Sequence, residues 1–548
     1  MLISAFVGAA LAKVRKSSGP ARVPMNNSSQ NQNTSTTLHY HESTKHSEES
    51  VRTNAHFLDW ANKPLPFKVY HGAASVPLIL NPDCLDRSTP AALDAISLTD
   101  SEVPDMDTGE RVPDLATLSD VLFLTAGITK HKRYPGGEVY FRAYSNTGAM
   151  YHIDLYLVAQ NLPDLPAGVY HFGPHDFALH RLREGDHRAL LVGASGHHPS
   201  IARAPLILIS ASTYWRNAWK YQARAYRHCF WDGGTLHANL LAIAAARGLQ
   251  PTVVMGFADA AVETLLDIDS GREGALTLVS LGRSNDRPPV APPLHGLTLE
   301  TQQLSRSAVD YPLISIMHSG SSLASGDEAA AWRGHTLETA APPASGPAQT
   351  LRPSVGRDLP RESLASVIRR RGSTRAFDRS RSITYEQLST VLDRATCRIP
   401  ADFIEPPTDT LLDLYLIVHA VDGLVPGTYY YRRTDRALEL LAEGDFRRAS
   451  GRLGLGQQLP ADAAVNVFCL ASLAPILARF GNRGYRAAQL EGGITGGRLY
   501  LAAYAQHFGA TGLTFFDNEV TDFFSPHAAG KSVMFLTALG HPDLARII

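Results

Sequence analysis

Asp154-Leu155-Tyr156 and, 259 positions further on, Asp413-Leu414-Tyr415 are the stretches whose reading decides the fold. The same offset carries Gly168-Val169-Tyr170 onto Gly427-Thr428-Tyr429 and Glu184-Gly185-Asp186 onto Glu443-Gly444-Asp445. It also carries Tyr226-Arg227 onto Tyr485-Arg486 and Gly233-Gly234 onto Gly492-Gly493. A constant offset held from position 154 to position 234 marks an internal duplication, so one structural unit occurs twice. The unit reads as α+β. Residues 155–159 and 414–419 read as strands, and 206–211 and 465–471 as buried ones. A helix is expected after each double glycine. Leu236, Leu240 and Ile243 fall on one face of the first, and Thr495, Leu499 and Ala502 on one face of the second. Residues 276–281 and 533–539 read as closing strands.

Outward from the repeats, the 548-residue chain divides into four parts. Residues 1–50 are polar and read as a disordered arm. Residues 51–283 hold the first copy and 354–548 the second. Between them, 284–353 is rich in Pro, Ser and Ala and reads as a linker, with a short ordered piece around 311–317. Phe57 to Lys68, with its aromatics and prolines, reads as an extended arm embracing the other half, with a peptide-binding groove element as the alternative. Hydrophobic residues make up 44% and the net charge is −1, so electrostatics give no reason to expect nucleic acid or a membrane as partner. Cys84, Cys229, Cys397 and Cys469 form no C-x-x-C pair, which points to a reduced, cytoplasmic setting. Lys13, Arg15 and Lys16 follow the apolar run 1–12, the wrong order for a secretory signal, and Met25 is a second candidate start. Of the 22 histidines, the cluster His39, His41 and His46 and the pair His197-His198 show no carboxylate or thiolate at ligand spacing, so no metal site is expected there. No G-x-G-x-x-G follows a strand, which leaves a Rossmann NAD site unsupported.

Arg371-Gly372-Ser373-Thr374-Arg375 opens the second copy, and two guanidiniums and a hydroxyl in five residues can enclose a phosphate. By itself the run also reads as a solvated basic turn. In its context, followed by Ile383 and the helical Leu388, Val391 and Leu392, it resembles the R-x-S-x-R signature of the nitroreductase superfamily. That resemblance implies that Arg371, Ser373 and Arg375 hold the phosphate of FMN. Leu124 to Thr129, then Ser145-Asn146-Thr147-Gly148-Ala149-Met150-Tyr151-His152, resembles SagB-type dehydrogenases. The family's P-S-A-G-A-L-Y-P segment lies against the isoalloxazine, and here Ser145 and Asn146 replace Pro-Ser and His152 replaces the last Pro. Ser145, Asn146 and Thr147 offer hydrogen bonds and Gly148 permits close approach, with Ala149 following. An ordinary polar turn before a strand is the plainer reading of the same residues. Lys220-Tyr221 is similar to the family's Lys-Tyr pair, which handles the substrate proton; a solvated Lys beside a half-buried Tyr is the alternative.

The second copy has Arg479 and Phe480 where the first has Lys220 and Tyr221, and neither can run the same proton transfer. It also lacks an S-x-x-G-A pattern between 400 and 413, while the first copy lacks R-x-S-x-R between 101 and 114. The resemblance therefore implies two tandem nitroreductase-like domains forming an intramolecular pseudo-dimer with one composite FMN site. Thr511 to Thr514, with Gly512 and Leu513, would complete it from the second copy. The implied activity is oxidation of a peptide azoline to an azole, with Lys220 or Tyr221 removing the proton and molecular oxygen regenerating the flavin. An NAD(P)H-dependent nitro or quinone reductase and a non-catalytic peptide- or partner-binding protein are the alternatives. A fused pseudo-dimer also allows a monomer.

Overall fold

The computed structural model describes residues 30–53, 56–80, 82–100, 109–134, 137–333, 345–404 and 410–546. The run 1–12, Met25, residues 101–108 and residues 340–344 of the Ala/Pro run lie outside them. Within them the duplication repeats strand for strand. In the first copy an antiparallel sheet runs in the order Ala74–Pro77, Ala178–Glu184, Gly168–Gly173, Ile153–Ala159, Leu206–Thr213, Glu273–Leu281, Thr252–Val254. In the second the order is Ala348–Thr350, Ala437–Glu443, Gly427–Arg432, Leu412–Val418, Val465–Ala471, Ser532–Gly540, Gly509–Leu513. Even the register is kept: Tyr156 pairs with Ile209, and Tyr415 with Phe468. Side chains alternate between the faces of each strand. Leu155 and Leu157 enter a core shared by both copies, while Tyr156 and Val158 enter a smaller one belonging to the first.

The two copies meet through their long helices, Ala225–Ala246 and Asn482–Ala505. Both double glycines lie inside these helices, where the sequence pattern suggested that the helices begin after them. Glycine weakens a helix interior, but here the missing Cβ lets two backbones touch. A Cβ on Gly234 would stand 2.6 Å from the Gly493 Cα, and one on Gly493 would stand 2.5 Å from the Trp231 carbonyl oxygen and 2.9 Å from the Gly234 Cα. Equivalent glycines thus face each other across a pseudo-twofold axis, as in a self-complementary dimer contact. Both helices are buried on almost every side, so the apolar stripes read from the sequence are only part of their buried surface. Gly493→Ala is expected to force the helices apart and cost about 1–3 kcal/mol, the usual range for overpacking. Urea unfolding of the full chain measures it, and an unchanged midpoint would remove the glycines from the interface argument.

Reciprocal ion pairs reinforce this contact. Arg224 and Arg227 of the first copy bind Asp517 of the second at 3.0 and 2.5 Å. Their counterparts Arg483 and Arg486 bind Asp259 of the first at 2.6 and 2.8 Å. Burial alone would raise the pKa of Asp517, but the two guanidiniums overcome it and hold the carboxyl far below the usual range.

Three sequence expectations give way here. The expected disordered arm is ordered from residue 30 and includes a helix over Ser35–Ser43. Its polar groups are engaged by both copies: Thr37 donates to Asn482 Oδ1 at 2.7 Å and the His46 N–H to Asp517 at 2.8 Å, while Tyr40 donates to the Ala223 carbonyl at 2.8 Å. The linker is likewise built in, with helices over Pro312–Gly320 and Gly326–Trp332; its His318 is buried at 2.7 Å from Glu263. The first of these helices matches the short ordered piece expected around 311–317. Finally, the Phe57–Lys68 segment clasps its own half. Trp60 packs edge-on against Trp219, and Lys68 binds Glu273 at 2.8 Å. Among the described residues no helix is long and apolar enough to cross a membrane.

Candidate active site

Asp154, the first residue of the repeated motif, anchors the helix Tyr214–Tyr221 that carries Lys220 and Tyr221. Its carboxylate takes both ends of the Arg216 guanidinium, at 3.0 and 2.7 Å. Just past Tyr221 the backbone at Gln222 adopts φ +51°, ψ −141°, a region that favours glycine. The equivalent position in the second copy is Gly481, at φ +61°, ψ −158°. Local strain of about 1–3 kcal/mol is the kind that persists where surrounding structure holds a functional group in place.

The Ser145–Ala149 segment lies directly against this helix end. Gly148 has φ +64°, and a Cβ there would stand 2.6 Å from the Tyr221 hydroxyl, so both conformation and space demand glycine. Asp232 fixes the segment, accepting from the Thr147 N–H at 2.9 Å and the Thr147 hydroxyl at 2.7 Å. Its other carboxylate oxygen meets His152 Nε2 at 2.8 Å, and His152 Nδ1 meets the Ser212 hydroxyl at 2.8 Å. Ser212, His152 and Asp232 are buried, so this chain braces the loop and is closed to a substrate. Thr235 donates to the Ser145 carbonyl at 2.5 Å. None of these bracing residues had been singled out for a role, although the signal existed: position 491, at the same offset from Asp232, is Glu491, which accepts from the Leu411 N–H at 2.9 Å.

The second copy brings its basic turn to the same place. Arg371 donates across the interface to the Arg142 and Ala143 carbonyls, at 3.3 and 3.0 Å, immediately before Ser145. Ser373 meets the Tyr500 hydroxyl at 3.1 Å, and that hydroxyl also accepts the Gly512 N–H at 2.5 Å. Leu513 follows, half-buried. The Gly512 N–H is therefore engaged inside the protein, and Tyr500 ties the basic turn to the Gly512 strand. Arg375 is exposed and no hydrogen bond or ion pair engages it among the described residues. Its charge reaches both Lys220 and Tyr221. Burial lowers the Lys220 pKa, and Arg375 and Lys63 push it further down. Burial raises that of Tyr221, with Asp232 adding to the effect. Arg371 Nε, Asn146 Nδ2 and the Thr514 hydroxyl are buried without a hydrogen-bond partner. Buried polar atoms are rarely left so. With the free Arg375, they suit an anionic, hydrogen-bonding ligand.

Among the described residues, protein groups take the pseudo-symmetric counterpart of this place. Val253, which takes the register position of Gly512, donates its N–H to the Pro400 carbonyl at 2.8 Å. The Asp402 carboxylate then takes the N–H groups of Met255 and Gly256, each at 2.8 Å. Burial pushes the Asp402 pKa up to about 6 in spite of those bonds. Trp332 packs on Phe480, ring centroids 5.4 Å apart, and donates to the Phe480 carbonyl at 2.8 Å. Arg479 lies over the Phe480 ring at 4.9 Å.

The model of the Nitroreductase family matches residues 114–283 and 368–541. The chain belongs to the nitroreductase family. A family relative from Methanocaldococcus jannaschii is 27% identical over 169 residues, covering 31% of this chain and 80% of its own length. A nitroreductase crystal structure from Anabaena variabilis is 27% identical, covers 93% of this chain and 99% of its own, and superposes with a TM-score of 0.73. The tandem nitroreductase architecture is therefore shared across both copies. The candidate site described above draws residues from each of the two nitroreductase domains.

Proposed function

We propose that this nitroreductase-family chain binds one FMN, in the site between its two domains, and acts as an FMN-dependent oxidoreductase of the SagB type. The carrying observation is convergence. Arg375 of one domain acts on Lys220 and Tyr221 of the other, and Gly148 packs on that same tyrosine. In this reading Arg371, Ser373 and Arg375 bind the phosphate, and Ser145, Asn146, Thr147, Gly148, Ala149, Gly512 and Leu513 border the ring. FMN supplies the two-electron redox chemistry when bound. The protein's own work is to position the substrate and accept its proton. Neutral Lys220 is the base, and its lowered pKa raises the neutral fraction near physiological pH. Two exposed aromatic side chains on a neighbouring segment support an extended substrate such as an azoline-bearing peptide. Phe57 and Trp60 are 89% and 66% exposed, on the segment whose Lys63 acts on Lys220.

The names of the relatives favour a second reading, reduction of nitro compounds or quinones by NAD(P)H. Anaerobic mixing separates the two: bleaching of the flavin by an azoline peptide supports the dehydrogenase, and bleaching by NADPH alone supports the reductase. The filled counterpart supports a ratio of one flavin per chain. Absorbance of purified protein saturated with FMN measures it; two flavins per chain would overturn the single-site reading, and a chain that takes up none would favour a binding protein of the same fold.

A further inference from the structure

The hairpin between strands Gly168–Gly173 and Ala178–Glu184 places three metal-binding side chains together, none of them among the candidate active-site residues. It turns through Pro174-His175-Asp176-Phe177, and the pairing of Gly173 with Ala178 brings His180 back beneath the turn. His180 Nε2 lies 2.9 Å from one Asp176 oxygen, and His175 Nε2 lies 3.7 Å from the other. The two imidazoles are parallel to within 3°, centroids 6.1 Å apart. One ligand atom from each of the three residues lies within 4.8 Å of the other two. Ligands on a tetrahedral zinc ion with bonds of about 2.0–2.2 Å stand roughly 3.4 Å apart, so small side-chain rotations complete the set.

Two further observations point to a ligand. His180 is 8% exposed, and its Nε2 makes no hydrogen bond, because its approach to Asp176 lacks the geometry of one. Gly173 keeps the space open: a Cβ there would collide with Asp176 Oδ1 and stand 2.7 Å from His180 Nε2. The other His-carboxylate trio, Asp259, Glu263 and His318, is different. Arg483 and Arg486 already neutralise Asp259 there, which opposes a cation.

We propose that His175, Asp176 and His180 bind a divalent transition ion, zinc by the nitrogen-and-oxygen ligand set, with the remaining position left to water. The ion staples the hairpin tip, next to Phe67, whose ring lies 5.6 Å from that of His175.

The test titrates the chelator-treated full-length protein with zinc chloride and repeats the titration with cobalt chloride, whose visible absorption reports tetrahedral ligation. One zinc per chain with micromolar or tighter affinity is expected, together with a rise in the thermal unfolding midpoint. His175→Ala and Asp176→Asn alter the exposed tip and should each weaken binding at least about tenfold, since loss of a group that merely orients a ligand already costs that much. His180→Ala should abolish binding, but it changes a buried residue, so the two tip variants carry the test if it fails to fold. His197→Ala with His198→Ala is the control and should bind as the parent does. No zinc uptake by the parent, or equal affinity in the tip variants, overturns the proposal.

Discussion

The Arg371→Ala, Arg375→Ala double variant is expected to purify colourless and to bind FMN about 10²–10⁴-fold more weakly than the parent. A hydrogen bond to a charged group contributes about 1.5–3 kcal/mol, so two lost guanidinium contacts to a phosphate amount to about 3–6 kcal/mol. Arg375 is the cleaner half of the pair, because no protein group engages it among the described residues. Arg371 also donates to the Arg142 and Ala143 carbonyls, so its loss loosens the joint between the domains. Arg375→Ala alone, measured by fluorescence titration with FMN, isolates the phosphate contribution. Arg479→Ala, in the filled counterpart, should leave the flavin content untouched. A double variant that keeps its full complement of FMN would sink the phosphate assignment.

Lys220→Ala should do the opposite: keep the yellow flavin and lose about 10²–10⁴-fold in turnover, the usual worth of a positioned general base. Lys220→Arg should not restore it, since a guanidinium does not deprotonate in proteins. In the proposed reaction the active form is neutral Lys220, so turnover should rise with pH through its pKa and level off above it. Burial, Arg375 and Lys63 all lower that pKa, which places the rise below the ordinary lysine range. Lys63→Ala removes one of these repulsions and should move the rise to higher pH while flavin content stays the same. Tyr221→Phe distinguishes the partners: if the phenol carries the proton, that variant is the dead one and Lys220→Ala survives. Retained turnover in Lys220→Ala removes the lysine from the mechanism.

The duplication and the α+β strand pattern were legible in the chain because both are local or periodic. A constant offset needs no geometry to detect, and strands declare themselves by apolar runs such as 155–159 and 467–471. The halves of the candidate site were legible for the same reason, as short motifs at 145–149, 220–221 and 371–375. Only the folded molecule decided the rest. Gly234 and Gly493 read as residues preceding a helix until their missing Cβ atoms are seen to let two helices touch. The polar residues 30–46 look unable to order because their partners, Asn482 and Asp517, lie more than 400 positions away. Asp402, Trp332 and Phe480 close one of two equivalent places through contacts that no spacing rule links. Periodicity reports what a segment does with its own neighbours; burial and close approach depend on segments that meet only after folding.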